Sequence, residues 1–250
     1  MRNSDTIGPT TMNMSTEKTV VLDFHTHCLP GMDDGAEDVD MALRMLRTSQ
    51  EQGVNTLIAT PHFYLGREDM DEFLERRAAC AVALREKMSP SDPRLLLGAE
   101  VLVREGISEL DLRPLCIEGT DLLLLELPFM HSPAWLYDEI ENISLGQRLT
   151  VVLAHLDRYV PWYTKSEMEH MADMPGLIIQ LNAEAVLSRR CFRFLRKWIP
   201  GGYPLVLGSD MHNETTRPPL IKEARRCMSR SRVGRAWLSN VDETAAALFG

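Results

Sequence analysis

Short apolar runs alternate with stretches of helical periodicity from Val20 to the C-terminus. The runs at 20–24, 55–59, 94–98, 122–126, 151–154, 177–181 and 205–208 have the length and composition of β-strands. Between the first two, residues 38–52 place Val39, Ala42, Leu43 and Leu46 at helical spacing behind an acidic start, with Gly53 as a stop. The same spacing predicts helices over 67–88, 133–145, 165–171, 188–199, 219–228 and 234–248, the second of these seven helices being closed by Ser89-Pro90-Ser91-Asp92-Pro93. A strand, turn, helix order implies right-handed crossovers and a mainly parallel sheet, hence an α/β fold; 250 residues suit a barrel of strands and helices. Residues 1–18 are polar, Thr-rich and interrupted by Pro9, and are expected to form a disordered leader before a single domain over 19–250.

The polar residues fall at one end of these runs. After successive strands come His25 and His27, then Thr60-Pro61-His62, Ala99-Glu100, Glu126-Leu127-Pro128, His155, and Asp210-Met211-His212. Alternation along a strand puts His25 and His27 on one face, where two imidazoles can share a cation. Parallel strands bring their carboxyl ends together, so these sequence-distant groups become neighbours.

Together with Asp34, the set is His25, His27, Asp34, His62, Glu100, Glu126, His155, Asp210 and His212. It holds nitrogen and oxygen donors but no thiolate, and exceeds the roughly four to six ligands one cation takes. Two or three divalent cations sharing carboxylates are the natural reading, and Mn, Zn or Fe(II) suits the donors. Closely spaced cations acidify water and clamp phosphoryl oxygens, which points to phosphate-ester hydrolysis. Arg158 and Arg217 follow His155 and His212 closely enough to grip a phosphate, although surface charges would look the same in the sequence. Asp33-Asp34-Gly35 also reads as a plain turn with Asp38 capping the next helix. His131 and His170 lie outside the pattern.

The net charge of −9 argues against a general nucleic-acid binder, and no apolar run approaches the roughly 18 residues of a membrane span. Five scattered cysteines without a C-x-x-C indicate a reducing cytoplasm and no disulfide framework. A cysteine-based phosphatase needs an arginine six residues after its nucleophile. The corresponding positions here are Asp34, Glu86, Leu122, Lys197 and Val233, so Cys28 is read as a small buried residue.

The blocks Asp23-Phe24-His25-Thr26-His27-Cys28-Leu29-Pro30-Gly31-Met32-Asp33-Asp34-Gly35, Ala59-Thr60-Pro61-His62, Gly98-Ala99-Glu100, Leu125-Glu126-Leu127-Pro128, Ala154-His155-Leu156-Asp157-Arg158-Tyr159 and Ser209-Asp210-Met211-His212-Asn213, with Arg217-Pro218-Pro219, carry a resemblance. In this order they resemble the polymerase-and-histidinol-phosphatase (PHP) metallohydrolases, and among them the bacterial protein-tyrosine phosphatases of capsule and exopolysaccharide loci. The resemblance implies a distorted seven-stranded (β/α)7 barrel with a trinuclear, typically manganese-dependent site. It groups His25, His27, Glu100 and Asp210 around one metal, Glu100, Glu126 and His155 around a second, and Asp34, His62 and His212 around a third. It also implies Arg158 and Arg217 as phosphate binders and a phosphotyrosine protein, the cognate tyrosine kinase, as substrate; on the mechanism that follows, His155 is expected to be essential to turnover. Rival readings are a histidinol-phosphate or small phosphate-monoester phosphatase, and a catalytically silent kinase-binding regulator. Asp157 departs from the resemblance, standing where Glu is expected.

Overall fold

The computed structural model describes residues 20–199 and 202–249. The expected leader at 1–18 lies outside them. The described strands are β1 (Leu22–Thr26), β2 (Thr56–Ala59), β3 (His62–Phe63), β4 (Arg94–Leu97), β5 (Glu100–Leu102), β6 (Leu122–Glu126), β7 (Thr150–Leu153), β8 (Ile178–Asn182) and β9 (Leu205–Gly208). The helices are α1 (Val39–Glu51), α2 (Met70–Arg85), α3 (Leu136–Glu141), α4 (Lys165–Ala172), α5 (Ala183–Leu187), α6 (Arg189–Trp198), α7 (Ile221–Met228) and α8 (Arg232–Phe249). α3 runs on into a π-helical turn at Asn142–Gly146. None of the described helices is long and apolar enough to cross a membrane.

Every strand pairing is parallel, as the strand, turn, helix order predicts. The hydrogen bonding divides the strands into two sheets, of order β1-β2-β4 and β3-β5-β6-β7-β8-β9, where the sequence suggested one seven-stranded ring. The division has a local cause: two of the predicted runs continue beyond a break. Thr60-Pro61 separates β2 from β3, and Gly98-Ala99 separates β4 from β5. Pro61 has no N–H to give to a ladder. β3 and β5 are only two and three residues long, too short to leave a periodic signature. Across the other side, Asp210 N–H donates to His25 O at 2.8 Å and His27 N–H to Met211 O at 3.0 Å, so β1 runs beside the chain leaving β9.

Consecutive strand residues enter different clusters, as alternation requires. Leu57, Leu95, Leu123 and Val151 join the large cluster that includes Leu46 of α1 and Phe73 of α2. Ile58, Leu96, Leu124 and Val152 join Leu22 and Phe24 in a second cluster drawn from both sheets. Burial on both faces explains why these strands are nearly all Leu, Ile and Val. α8 closes the second cluster with Ala245 and Phe249, whose ring meets Phe24 edge-on at 6.4 Å. The capping follows the sequence too. Asp38 accepts from Met41 N–H ahead of α1, and Ser188 accepts from Cys191 N–H ahead of α6.

Candidate metal centre

All nine predicted ligand residues meet past or at the carboxyl ends of β1, β2, β4, β6, β7 and β9. Glu100, at the start of β5, is central: its Oε2 lies 3.3 Å from His25 Nε2, 3.4 Å from His27 Nε2 and 2.9 Å from His62 Nδ1. Its Oε1 lies 2.7 Å from His155 Nε2, which is 3.6 Å from Glu126. Asp210 Oδ1 stands 3.7 Å from His25 Nε2 and 3.4 Å from His27 Nε2. Asp34, the exposed member, reaches His62 at 3.5 Å and His212 at 3.3 Å.

Three subsets bring one donor atom per residue within 4.8 Å of one another: His25, His27 and Asp210; His62, Glu100 and Glu126; and His27, Asp34, His62 and His212. These subsets differ from the grouping that the resemblance implied, with Glu100 outside the His25 subset and His155 outside all three. His62 stands with Glu100 and Glu126 as well as with Asp34, and His27 adjoins two subsets.

The donor set fits divalent cations on structural grounds. Glu100 Oε2, Asp210 Oδ1, His62 Nδ1 and His212 Nε2 are buried and make no hydrogen bond. His25 Nε2 and His27 Nε2 face each other at 3.1 Å. Buried polar atoms without partners are costly, and two imidazole lone pairs pointed at each other repel, unless a cation lies among them.

Supporting residues set the tautomers. Gln180 Oε1 accepts from His155 N–H at 2.6 Å and faces His25 Nδ1 at 3.2 Å, which puts the His25 proton on Nδ1 and leaves Nε2 toward the cluster. Gln180 Nε2 donates to Asn182, and Asn182 Nδ2 donates to Asp210 at 3.1 Å. Asp33 holds His27 Nδ1 at 2.7 Å and accepts from the N–H groups of Gly35 and His62. The turn is tight: a Cβ on Gly35 would lie 1.9 Å from His27 O. Sequence reasoning read Asp33 only as part of a turn and assigned nothing to Gln180 or Asn182. The available signal was Gln180 and Asn182 alternating in an otherwise apolar strand.

Backbone strain marks two of the nine positions. His155 has φ 28° and Asp210 φ 54°, left-handed conformations that residues other than glycine adopt at a cost. Each lies two residues past the end of its strand, turning a side chain into the cluster.

The charges are interlocked. Burial opposes ionisation of Glu100, but the His25 charge and contacts with His155, His25 and His27 hold its pKa well below the usual range. Burial likewise opposes a charge on His27, and contacts with Asp210, Asp33 and Glu100 outweigh it and raise the pKa. Glu126 goes the other way: burial and the Glu100 charge push it up to about 8. Burial and the His27 charge bring His212 down to about 4, and burial lowers His155.

The two arginines converge from different loops on Asp210 Oδ2, Arg217 at 2.8 Å and Arg158 as a close ion pair. Both arginine side chains are about one-third exposed. The Arg217 loop is shaped by Asn213 Oδ1, which accepts from the N–H groups of Thr215, Thr216 and Arg217. A cleft of about 620 Å³ opens beside Asp34 and His62, walled by Tyr64 and Arg67. Cys28 is fully buried, and burial pushes its thiol up to about 12. His131 and His170 lie elsewhere, against Trp162 and Tyr137. Asp157 sits beside Arg158, and burial raises it to about 6.

A family model for capsular polysaccharide synthesis, CpsB/CapC, matches residues 21–244. The chain belongs to the CpsB/CapC family. Among its relatives is the tyrosine-protein phosphatase YwqE of Bacillus subtilis, 27% identical over 210 residues covering 82% of each chain. Another is the tyrosine-protein phosphatase CpsB of Streptococcus pneumoniae, 27% identical over 218 residues, 82% of this chain and 88% of that one. Among solved structures, one from crystallography of YwqE from Bacillus subtilis and CpsB from Streptococcus pneumoniae, metal-dependent tyrosine phosphatases, superposes with a TM-score of 0.71. It covers 89% of this chain and 93% of its own at 23% identity, a likeness that speaks for the fold alone. The CpsB/CapC match spans all nine cluster residues and both arginines.

Proposed function

We propose that this CpsB/CapC protein is a metal-dependent protein-tyrosine phosphatase. The observation that carries the reading is the gathering of five imidazoles and four carboxylates around buried atoms of Glu100, Asp210, His62 and His212 that make no hydrogen bond, in a chain of this family. We read the nine residues as ligands of two or three cations, manganese by preference with Fe or Zn possible. The substrate is phosphotyrosine on a cognate tyrosine kinase governing polysaccharide synthesis. We also read residues 19–250 as one domain and the two sheets as a distorted seven-stranded barrel. Support for the barrel comes from the β1 contact with the chain after β9 and from the cluster shared by both sheets.

Bound cations supply Lewis acidity toward phosphoryl oxygens and a more acidic water. The protein's own contribution is orientation. Gln180 and Asp33 fix the imidazoles so that Nε2 of His25 and of His27 faces inward. His155, kept neutral by burial, offers a lone pair beside Glu100 and Glu126. Arg158 and Arg217, both paired with Asp210, carry planar donor forks suited to the oxygens of a phosphate ester and to the charge that develops on them. A tyrosyl oxygen, whose conjugate acid titrates near 10, leaves more readily than an alkoxide, so the site needs no dedicated strong acid. Cys28 takes no part, since a buried thiol with so high a pKa supplies no thiolate.

The test is phosphate release from a phosphotyrosine peptide by metal-stripped protein before and after Mn addition. Activity is expected to return with Mn and to resist cysteine alkylation. His155→Ala is expected to abolish turnover, whereas Cys28→Ser keeps most of it. A dead Cys28→Ser variant with intact metal content would overturn the mechanism.

A further inference from the structure

Apolar side chains are unevenly exposed on this molecule. Among the described residues, five large hydrophobics are exposed, and three of them, Phe129, Met130 and Trp162, lie in the two loops that follow β6 and β7. Those strands deliver Glu126 and His155 to the cluster. The loops are tied together, His131 Nδ1 lying 3.1 Å from Trp162 O. Exposed apolar surface gathered at one rim of a site marks a surface kept for binding.

Phe129 is the innermost of the three. Its ring lies parallel to His155, 17° between planes and 6.0 Å between centroids, and leans on Tyr159 at 5.6 Å. The two residues before it are anchored: Tyr159 OH accepts from Leu127 N–H at 2.8 Å, and Tyr163 OH donates to Pro128 O at 2.9 Å. With these contacts, Phe129 is still 43% exposed. Tyr64, on the other side of the cluster, stacks on His62 at 5.2 Å but has the Arg67 guanidinium over its ring at 4.4 Å, so its faces are taken. Phe129 is therefore the aromatic beside the cluster with surface to offer. Arg158 belongs to the same short turn as Tyr159, Leu156–Tyr159, which brings a phosphate-suited guanidinium and the Phe129 platform into one corner.

We propose that Phe129 determines the specificity of the site for aryl phosphates by packing against the ring of the phosphotyrosine. Met130 and Trp162 continue that apolar surface outward. The inference rests on the phosphatase reading above and adds the group that distinguishes a tyrosyl from an alkyl ester. Offset or edge-on packing of two aromatic rings accounts for a preference of about tenfold.

The experiment compares kcat/KM of Mn-loaded wild type, Phe129→Ala and Phe129→Trp on phenyl phosphate and glycerol phosphate, alongside inhibition by phenylphosphonate and methylphosphonate. In Phe129→Ala, the phenyl-to-glycerol preference is expected to fall about tenfold and phenylphosphonate inhibition to weaken by a similar factor. Phe129→Trp is expected to restore both, and methylphosphonate inhibition to change little. An equal loss on both esters would show that Phe129 only braces His155, and an unchanged preference would show that the ring is not read; either overturns the proposal and leaves the phosphatase reading standing. Wild-type protein loaded with Mn but inactive on every aryl phosphate, phosphotyrosine peptide included, would overturn the phosphatase reading and this inference with it.

Discussion

Asp33 holds three groups at once, the His27 ring and the backbone N–H groups of Gly35 and His62, without being one of the nine cluster residues. Burial works against its charge, yet the His27 contact and the two N–H donors bring its pKa down to about 2. Losing it would free the His27 tautomer and loosen the turn carrying Asp34. Asp33→Ala is expected to weaken Mn binding by about 10–100-fold with an unchanged far-UV spectrum, measured by titration calorimetry. An unaltered affinity would show that the Gly35 turn alone positions His27. At this scale the ligand types were legible in the sequence, because His, Asp and Glu at strand ends have few structural uses. Their supports were not. A Gln or Asn in a strand carries no signal of its partner until β8 is placed beside β7 and β9.

α1 shows that a helix can serve the site without touching a ligand. Its Asp38 cap and its buried Ala42, Leu43 and Leu46 follow the predicted spacing, and it directly follows the turn that carries Asp34. Asp38→Ala is expected to cost about 1 kcal/mol in urea unfolding of the metal-free protein, with turnover of the Mn-loaded protein retained. A large loss of turnover would instead tie the cap to the Asp34 turn. Helices with a continuous apolar stripe and a cap were recovered nearly to the residue, as at α1 and α6. β3, β5 and α5 were missed, since two to five residues are too few to establish a period. The 67–88 segment shortened to Met70–Arg85 once Asp69 took the N-cap.

At the scale of the whole molecule, the metal-free protein gathers buried acids and bases whose proton balance depends on the fold. Burial raises Asp23 to about 7, and burial with Glu100 raises Glu126 to about 8. Their carboxyl groups hold protons in the folded state that the unfolded chain releases near pH 4, so stability falls as pH rises toward about 8. His25 and His27, raised by their acidic neighbours, act in the same direction: the stability they add is complete below about pH 6.5 and is lost as pH rises through their folded pKa. Glu100, Asp210 and Asp33 are depressed, and what they add is lost only as pH falls below about 4. The thermal midpoint of stripped protein is therefore expected to fall between about pH 6 and 8. Mn binding is expected to release protons and tighten over the same interval, read by calorimetry in buffers of different ionisation enthalpy. A midpoint that rises with pH, or proton uptake on binding, would contradict this account of the cluster.

The sequence by itself determined the order of strands and helices, their parallel arrangement and the identity of the groups that meet, because hydrophobic period and side-chain chemistry are local properties. Only the tertiary structure decided which donors share a subset, that both arginines converge on Asp210, and that Phe129 is left exposed beside His155. These depend on register between strands, on the left-handed turns at His155 and Asp210 and on the breaks after β2 and β4, where residues distant along the chain fix one another's position.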